Sequence, residues 1–188
     1  MKKANPKMFN KKASNPKNKP DEIIKTLKIL PGNYIADIGS GGGYFSYRFA
    51  ELVGGNGKVY AIDTNQDFLD FISKSATEQK KGNINTVLAT EENIPFIEEK
   101  IDLIFMRNVC HHIQNRVAYF KKLKKILKEE GKIAIIEYTK RGSRFGFHRL
   151  FGHFIPLEVI KSEMETAGYR VAEQHFFLPE QSFTIFLR

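Results

Sequence analysis

Tyr34-Ile35-Ala36-Asp37-Ile38-Gly39-Ser40-Gly41-Gly42-Gly43-Tyr44 is an apolar run that ends in an acid and then in glycines at alternate positions. A helical pattern of apolar residues starts directly afterwards. This order reads as a buried strand, a tight turn and a helix N-terminus. A side chain at Gly39 or Gly41 would block close approach of a ligand to the backbone, or forbid the positive φ that such turns require. The N–H groups at the start of the helix have no intrahelical acceptor and are expected to face a ligand.

Two ligand classes use such a turn, and the spacing separates them. A dinucleotide fingerprint has G-x-G-x-x-G, but the third glycine position here is Tyr44. The pattern G-x-G-x-G preceded by Asp37 resembles instead the first motif of the class I S-adenosylmethionine (SAM) dependent methyltransferases. That resemblance implies a glycine loop passing under the amino-acid end of the cofactor. Gly39, Ser40 and Gly41 would let the backbone approach, Tyr44 would line the pocket, and Asp37 would either orient the loop or bind the methionine ammonium.

A chain of 188 residues, 41% hydrophobic, suits one soluble globular domain. No stretch reaches the roughly 18 apolar residues of a membrane span, and the lysines at the N-terminus precede no apolar signal core. A cytoplasmic location is therefore expected. The single Cys110 excludes an intramolecular disulfide framework and a three-cysteine iron–sulfur site. With SAM as cofactor, polar methyl transfer is the expected chemistry. Of the net charge of +9, seven come from lysines in residues 1–20, which carry no acid. With Pro6, Pro16 and Pro20, this segment reads as a flexible basic tail, or as a lid in which Met8 and Phe9 close over the ligand. Residues 21–188 are read as a single cofactor-binding domain.

Asp21-Glu22 open a helix with Ile23, Ile24, Leu27 and Leu30 on its apolar face, and Pro31-Gly32 are expected to stop it. After strand one, a helix over Tyr44–Val53 turns Phe45, Phe49, Leu52 and Val53 to a sheet. Lys58 to Asp63 reads as strand two. Asp63 lies 24 positions after Gly39, near the offset at which nucleotide-binding α/β folds place a carboxylate on ribose hydroxyls. The alternative is an N-cap for the helix over about 66–80, a role open equally to Thr64 and Asn65. Thr64, next to Asp63, is included among the cofactor-binding candidates.

Ile84 to Ala89 reads as strand three and runs into Thr90-Glu91-Glu92-Asn93-Ile94-Pro95-Phe96. In the family this corner holds the adenine edge, and Ile94-Pro95-Phe96 matches it. Thr90 stands where Asp is common, so the adenine contact is left open between Thr90, Glu91 and a backbone carbonyl; solvated loop charges are the alternative for the acids. Ile101 to Met106 reads as strand four. Arg107-Asn108-Val109-Cys110-His111-His112-Ile113 resembles the family's fourth motif in the small-molecule branch that includes the quinone-biosynthesis methyltransferases. By that resemblance Asn108 lies beside the methionine portion. His111, His112 and Tyr138 are candidates for a catalytic base, with a structural role as the alternative. No set of further ligands at suitable spacing accompanies the histidines, so no metal is expected.

A helix over about Asn115–Glu129 would bury Phe120, Leu123, Ile126 and Leu127, with five lysines outside. Lys132 to Tyr138 follows as strand five. Residues 139–155 mix cations and aromatics and form the candidate substrate wall, with Arg144, Phe147 and His148 as its leading residues. A helix from Pro156 to Ala167 and two strands, Tyr169–Phe177 and Ser182–Leu187, close the chain. The whole resembles the Rossmann-like three-layer α/β sandwich of these enzymes, with a seven-stranded, mostly parallel sheet whose last strand is antiparallel.

The function expected is methyl transfer from SAM to a small-molecule acceptor by in-line displacement, leaving S-adenosylhomocysteine (SAH). Methylation of RNA or protein and a catalytically silent SAM- or nucleoside-binding regulator are the alternatives, and a nucleic-acid partner is not favoured. Without a third glycine or a Tyr-x-x-x-Lys pair, a nicotinamide dehydrogenase is the reading least supported. Neither the acceptor nor the oligomeric state follows from the sequence.

Overall fold

The computed structural model describes residues 5–90, 92–94, 97–139 and 154–188. Seven strands form one sheet in the order β3-β2-β1-β4-β5-β7-β6, flanked by helices. The residues group into two compact units, 1–90 and 91–188.

The first unit holds α1 (Pro6–Ala13), a 3-10 turn (Pro16–Asn18), α2 (Pro20–Leu27), β1 (Tyr34–Ile38), α3 (Tyr44–Val53), β2 (Lys58–Asp63), α4 (Gln66–Glu78) and β3 (Ile84–Leu88). Its strands pair in parallel, Ile35 opposite Val59 and Ile62 opposite Val87. Ile35, Ala36, Val59, Ala61 and Ile62 are fully buried, as expected of parallel strands covered on both faces. α2 buries Ile23, Ile24 and Leu27, then ends at Lys28 in the left-handed conformation. Leu30 thus falls beyond the helix and is 63% exposed, against the expectation of a core position. Leu52 is exposed as well, so Phe45, Phe49 and Val53 alone carry the expected face of α3.

Within the basic N-terminal segment, α1 starts with Pro6 behind an Asn5 cap that accepts from the Lys7 N–H, and it carries Lys11 and Lys12 in its last turn. Both ends therefore suit a helix: a fixed φ and a cap at the start, cations at the negative end of the dipole. α1 has no buried residue of its own. It is held by Phe9 against Phe68 of α4, ring centroids 5.2 Å apart, and by Asn10.

The second unit holds β4 (Ile101–Arg107), a 3-10 turn (Cys110–His112), α5 (Arg116–Leu123), β5 (Leu127–Tyr138), α6 (Leu157–Thr166), β6 (Arg170–His175) and β7 (Gln181–Leu187). β4 and β5 are parallel, and β7 lies between β5 and β6, antiparallel to both. The helix expected over 115–129 stops at Leu123, and its last residues belong to the strand instead. The cause is tertiary: Leu127 pairs with Ile101, and an irregularity then shifts the register so that Lys132 faces Leu103. At Gly131 a Cβ would come within 2.7 Å of the Leu127 side chain, so this irregularity requires the absence of a side chain. α5 packs on α6 and is joined to it by Arg116, whose guanidinium donates to both oxygens of Glu163 at 2.6 and 2.7 Å.

Candidate active site

The glycine turn leaves β1 with Gly39 at φ +73° and Gly41 at φ +56°, the conformation for which the sequence pattern selects glycine. The N–H groups of Gly39 and Ser40 both donate to the Ile62 carbonyl of β2, at 2.8 and 3.1 Å. Asp63, at the end of β2, then grips the turn directly. Its Oδ2 accepts from the Gly41 N–H at 2.9 Å and its Oδ1 from the Asn65 N–H at 3.0 Å. The cap of α4 is Asn65, which accepts from the Asp67 N–H. Asp63 is therefore not the N-cap, and its carboxylate is half-buried at the end of β2.

Of the N–H groups expected to meet a ligand at the start of α3, that of Tyr44 is engaged within the chain. Tyr44 donates to Asn10 Oδ1 at 3.0 Å, and Asn10 Nδ2 donates to the Gly42 carbonyl at 2.7 Å. A single carboxamide thus satisfies one orphan donor and one acceptor of the turn, where the N-cap, Gly43, has no side chain to do so. Gly42 makes room for this contact: a Cβ there would collide with the Pro6 carbonyl oxygen. Its role in this structure is to seat α1.

Asp37 is buried, and its Oδ2 accepts from Ser46 Oγ of α3 at 2.5 Å. Loss of solvation raises its pKa to about 7; the Ser46 hydrogen bond opposes this and the nearby charge of Asp63 adds to it. Asp37 thus ties α3 to β1. Ser40 Oγ is buried without a hydrogen-bond partner among the described residues, which an ordinary turn residue would avoid. Tyr44 is half-buried, its hydroxyl accepting from Arg48 at 3.1 Å. Thr64 and Thr90 are exposed just beyond β2 and β3, whose ends are tied by the Ala89 N–H on the Asp63 carbonyl. A ligand bearing vicinal hydroxyls and an amino-acid end fits this set: an acceptor in Asp63, a buried hydroxyl in Ser40 and a second carboxyl in Asp37.

A second polar cluster stands at the carboxyl ends of β4 and β5. Asn108 adopts φ +56°, a costly conformation for a residue with a side chain, and its N–H bonds the Ile136 carbonyl at 2.8 Å. Its Oδ1 accepts from Gln181 Nε2 at 2.6 Å, while Gln181 Oε1 accepts from Arg107 at 3.2 Å. Three residues from β4, its following loop and β7 are thereby locked in one chain. Beside them, His111 Nδ1 lies 3.0 Å from Glu137 Oε1, which also accepts from the Tyr138 N–H. His112 is exposed, its ring centroid 4.1 Å from that of His111. Cys110 is fully buried, and burial with the Glu137 charge pushes its thiol well up, so it stays protonated. Arg144, Phe147, His148 and Glu91 lie outside the described residues, as do Pro95 and Phe96 of the adenine corner.

Residues 30–168 match the family described as "Methyltransferase domain". The chain belongs to this family. Curated relatives include the ubiquinone/menaquinone biosynthesis C-methyltransferase UbiE of Ectopseudomonas mendocina, 26% identical over 64% of this chain and 47% of that protein. The demethylmenaquinone methyltransferase of a Geobacillus species is 22% identical over 70% of this chain and 56% of its own length. The chain thus spans about half the length of the curated relatives it matches. Among solved structures, a SAM-dependent methyltransferase from Aquifex aeolicus superposes with a TM-score of 0.84 and 23% identity, covering 98% of each chain. The last likeness is one of fold. It agrees with the expected seven-stranded sheet, β7 antiparallel to its neighbours.

Asn10, Ser46, Glu137 and Gln181 were not legible as site residues. For Glu137 a signal existed: like Asp37 and Asp63, it is an acid closing an apolar strand run, Ile133-Ala134-Ile135-Ile136. For Asn10 none did, because its contacts with Gly42 and Tyr44 span more than 30 residues of chain.

Proposed function

We propose that this chain transfers a methyl group from SAM to a small-molecule acceptor. The observation that carries the reading is the turn itself: Ser40 Oγ buried without a hydrogen-bond partner among the described residues, beside a glycine loop clamped by the Asp63 carboxylate. Family membership supports the chemistry, and the quinone-biosynthesis relatives support a small, ring-containing acceptor. Bound SAM supplies an electrophilic methyl group already activated by the positive sulfur. The chain's task is therefore alignment and exclusion of water. In this reading Asp63 accepts from the ribose hydroxyls, Gly39, Ser40 and Gly41 border the amino-acid end, and Asp37 takes its ammonium or acts only through Ser46. Tyr44 lines the pocket, Thr64 and Thr90 flank the nucleoside with Glu91, and Asn108 borders the reactive end. Arg144, Phe147 and His148 face the acceptor.

Calorimetric titration with SAH tests this, with NAD as control and Asp63→Ala alongside. The expected result is micromolar binding of SAH alone, lost in a variant whose circular dichroism is unchanged. Preference for NAD, or no binding of SAH, overturns the reading.

A further inference from the structure

The cluster after β4 contains a feature that alignment of a donor and an acceptor does not require. Glu137 is 0% exposed, and its Oε2 is buried without a hydrogen-bond partner among the described residues. A buried carboxylate oxygen left unbonded is costly. A Gln or an apolar side chain would fill a β5 position more cheaply if packing were its only duty. What Glu137 does bond is the His111 ring, from a carboxylate itself fixed by the Tyr138 N–H. The histidine stands on the short turn just past the carboxyl end of β4, the edge at which open α/β sheets bind ligands.

A carboxylate only accepts hydrogen bonds, so against Glu137 the ring nitrogen Nδ1 must donate. That fixes the tautomer and makes Nε2 the basic nitrogen. Positive charge arriving on the ring is then stabilised by a carboxylate 3.0 Å away. The neighbouring Cys110 is a buried thiol and no competing base. Among the described residues, the other ionisable groups about the pair include His112 on the same turn, Tyr138 on β5, Arg116 on α5 and Glu163 on α6, the last two neutralising each other as an ion pair.

We infer that His111 is the general base of the reaction, that Glu137 is its positioning residue, and that the acceptor presents an O–H that must be deprotonated as it is methylated. This deepens the function proposed above and rests on it. The hydroxyl proton passes to His111 Nε2. The electron pair it leaves forms a bond to the methyl carbon, from oxygen or through the ring from an activated ortho or para carbon, and the carbon–sulfur pair returns to sulfur. Where the hydroxyl sits on a ring and carbon is the nucleophile, the methylated carbon then loses its C–H proton to water and the ring oxygen takes a proton back from solvent, restoring the hydroxyl. The imidazolium finally gives its proton to solvent. A thiol or amine that ionises or deprotonates readily in water would need no such pair.

The test uses the full chain and three probes: 1,4-dihydroxynaphthalene, hydroquinone and catechol. Wild type is expected to methylate at least one with SAM. His111→Asn should lose about 10²–10⁴-fold in kcat/KM while binding SAH within twofold of wild type. His111→Gly should be partly rescued by added imidazole, which a purely structural histidine would not show. Without any acceptor present, long-range 1H–15N spectra should show the neutral His111 ring carrying its proton on Nδ1, and Glu137→Gln should weaken that tautomer preference together with kcat/KM. If Glu137→Gln does not fold, the His111 variants and the wild-type spectrum carry the test. Failure of wild type to bind SAH would overturn the underlying function. SAH binding without methylation of any probe, His111→Asn active within about threefold, or an Nε2–H tautomer overturns the inference alone.

Discussion

Replacing Asp37 by Asn separates the two roles open to this residue, because the carboxyl is buried and titrates near neutrality. In the unfolded chain it ionises near 3.8; in the folded chain, near 7. Between these values the folded state holds a proton that the unfolded state has lost, so stability falls as pH rises through that window and is level above it. The slope is about 1.4 kcal/mol per pH unit, which gives roughly 4 kcal/mol across the window and roughly 2 kcal/mol between pH 5 and 7. Asn has nearly the same shape, can still accept from Ser46 Oγ, and does not titrate. Subtracting wild type from Asp37→Asn cancels the other ionisable groups. For a chain of this length the Tm advantage of the variant should therefore widen by roughly 4–8 °C from pH 5 to pH 7 and stay constant to pH 8. Thermal denaturation in one buffer series at fixed ionic strength measures it. A difference that does not change between pH 5 and 8 would refute a buried, proton-holding Asp37. Saturation with SAH extends the experiment. If the methionine ammonium faces Asp37, it stabilises the charged form: the gap narrows and SAH affinity for wild type rises with pH through 7. If Asp37 acts only on Ser46, SAH leaves the pH dependence as it is in the free protein.

Gly42→Ala keeps an allowed backbone but drives a methyl into the Pro6 carbonyl and Asn10; hydrogen exchange should show α1 released, with a loss of about 1–3 kcal/mol in stability. Asn10→Ala leaves the Tyr44 N–H and the Gly42 carbonyl without this partner, and denaturant unfolding should report a cost of about 1–2 kcal/mol. Tyr169→Phe removes the buried hydroxyl that donates to the Phe120 carbonyl at 2.9 Å; the same assay should show a loss of about 1–2 kcal/mol and unchanged SAH binding.

The order of strands and helices was readable because each apolar run is short, bounded by Gly, Pro or polar residues, and has a clear period, as at Ile35–Ile38 or Val59–Ile62. Asp63 and the glycine turn were readable because the backbone conformation and the offset to the next strand are local properties. The same local logic failed at Leu123–Gly131, where helical spacing continued past the point at which pairing with β4 took over the chain. A periodic pattern states what a segment prefers alone, and a neighbouring strand with open hydrogen-bonding groups outweighs it.

By itself, then, the sequence determined the strand–turn–helix around Gly39, the acid after β2 and the fourth-motif resemblance, each written within a few tens of residues. Tertiary structure decided which groups those residues meet. Gly42 and Tyr44 are met by Asn10 of α1, so the open helix end is capped from outside its own segment. His111 is met by Glu137, 26 residues later and on another strand, and this contact fixes how the ring is held, which the sequence alone leaves open. Hydrogen bonds of this kind follow from where strands end in space, and no spacing along the chain encodes that.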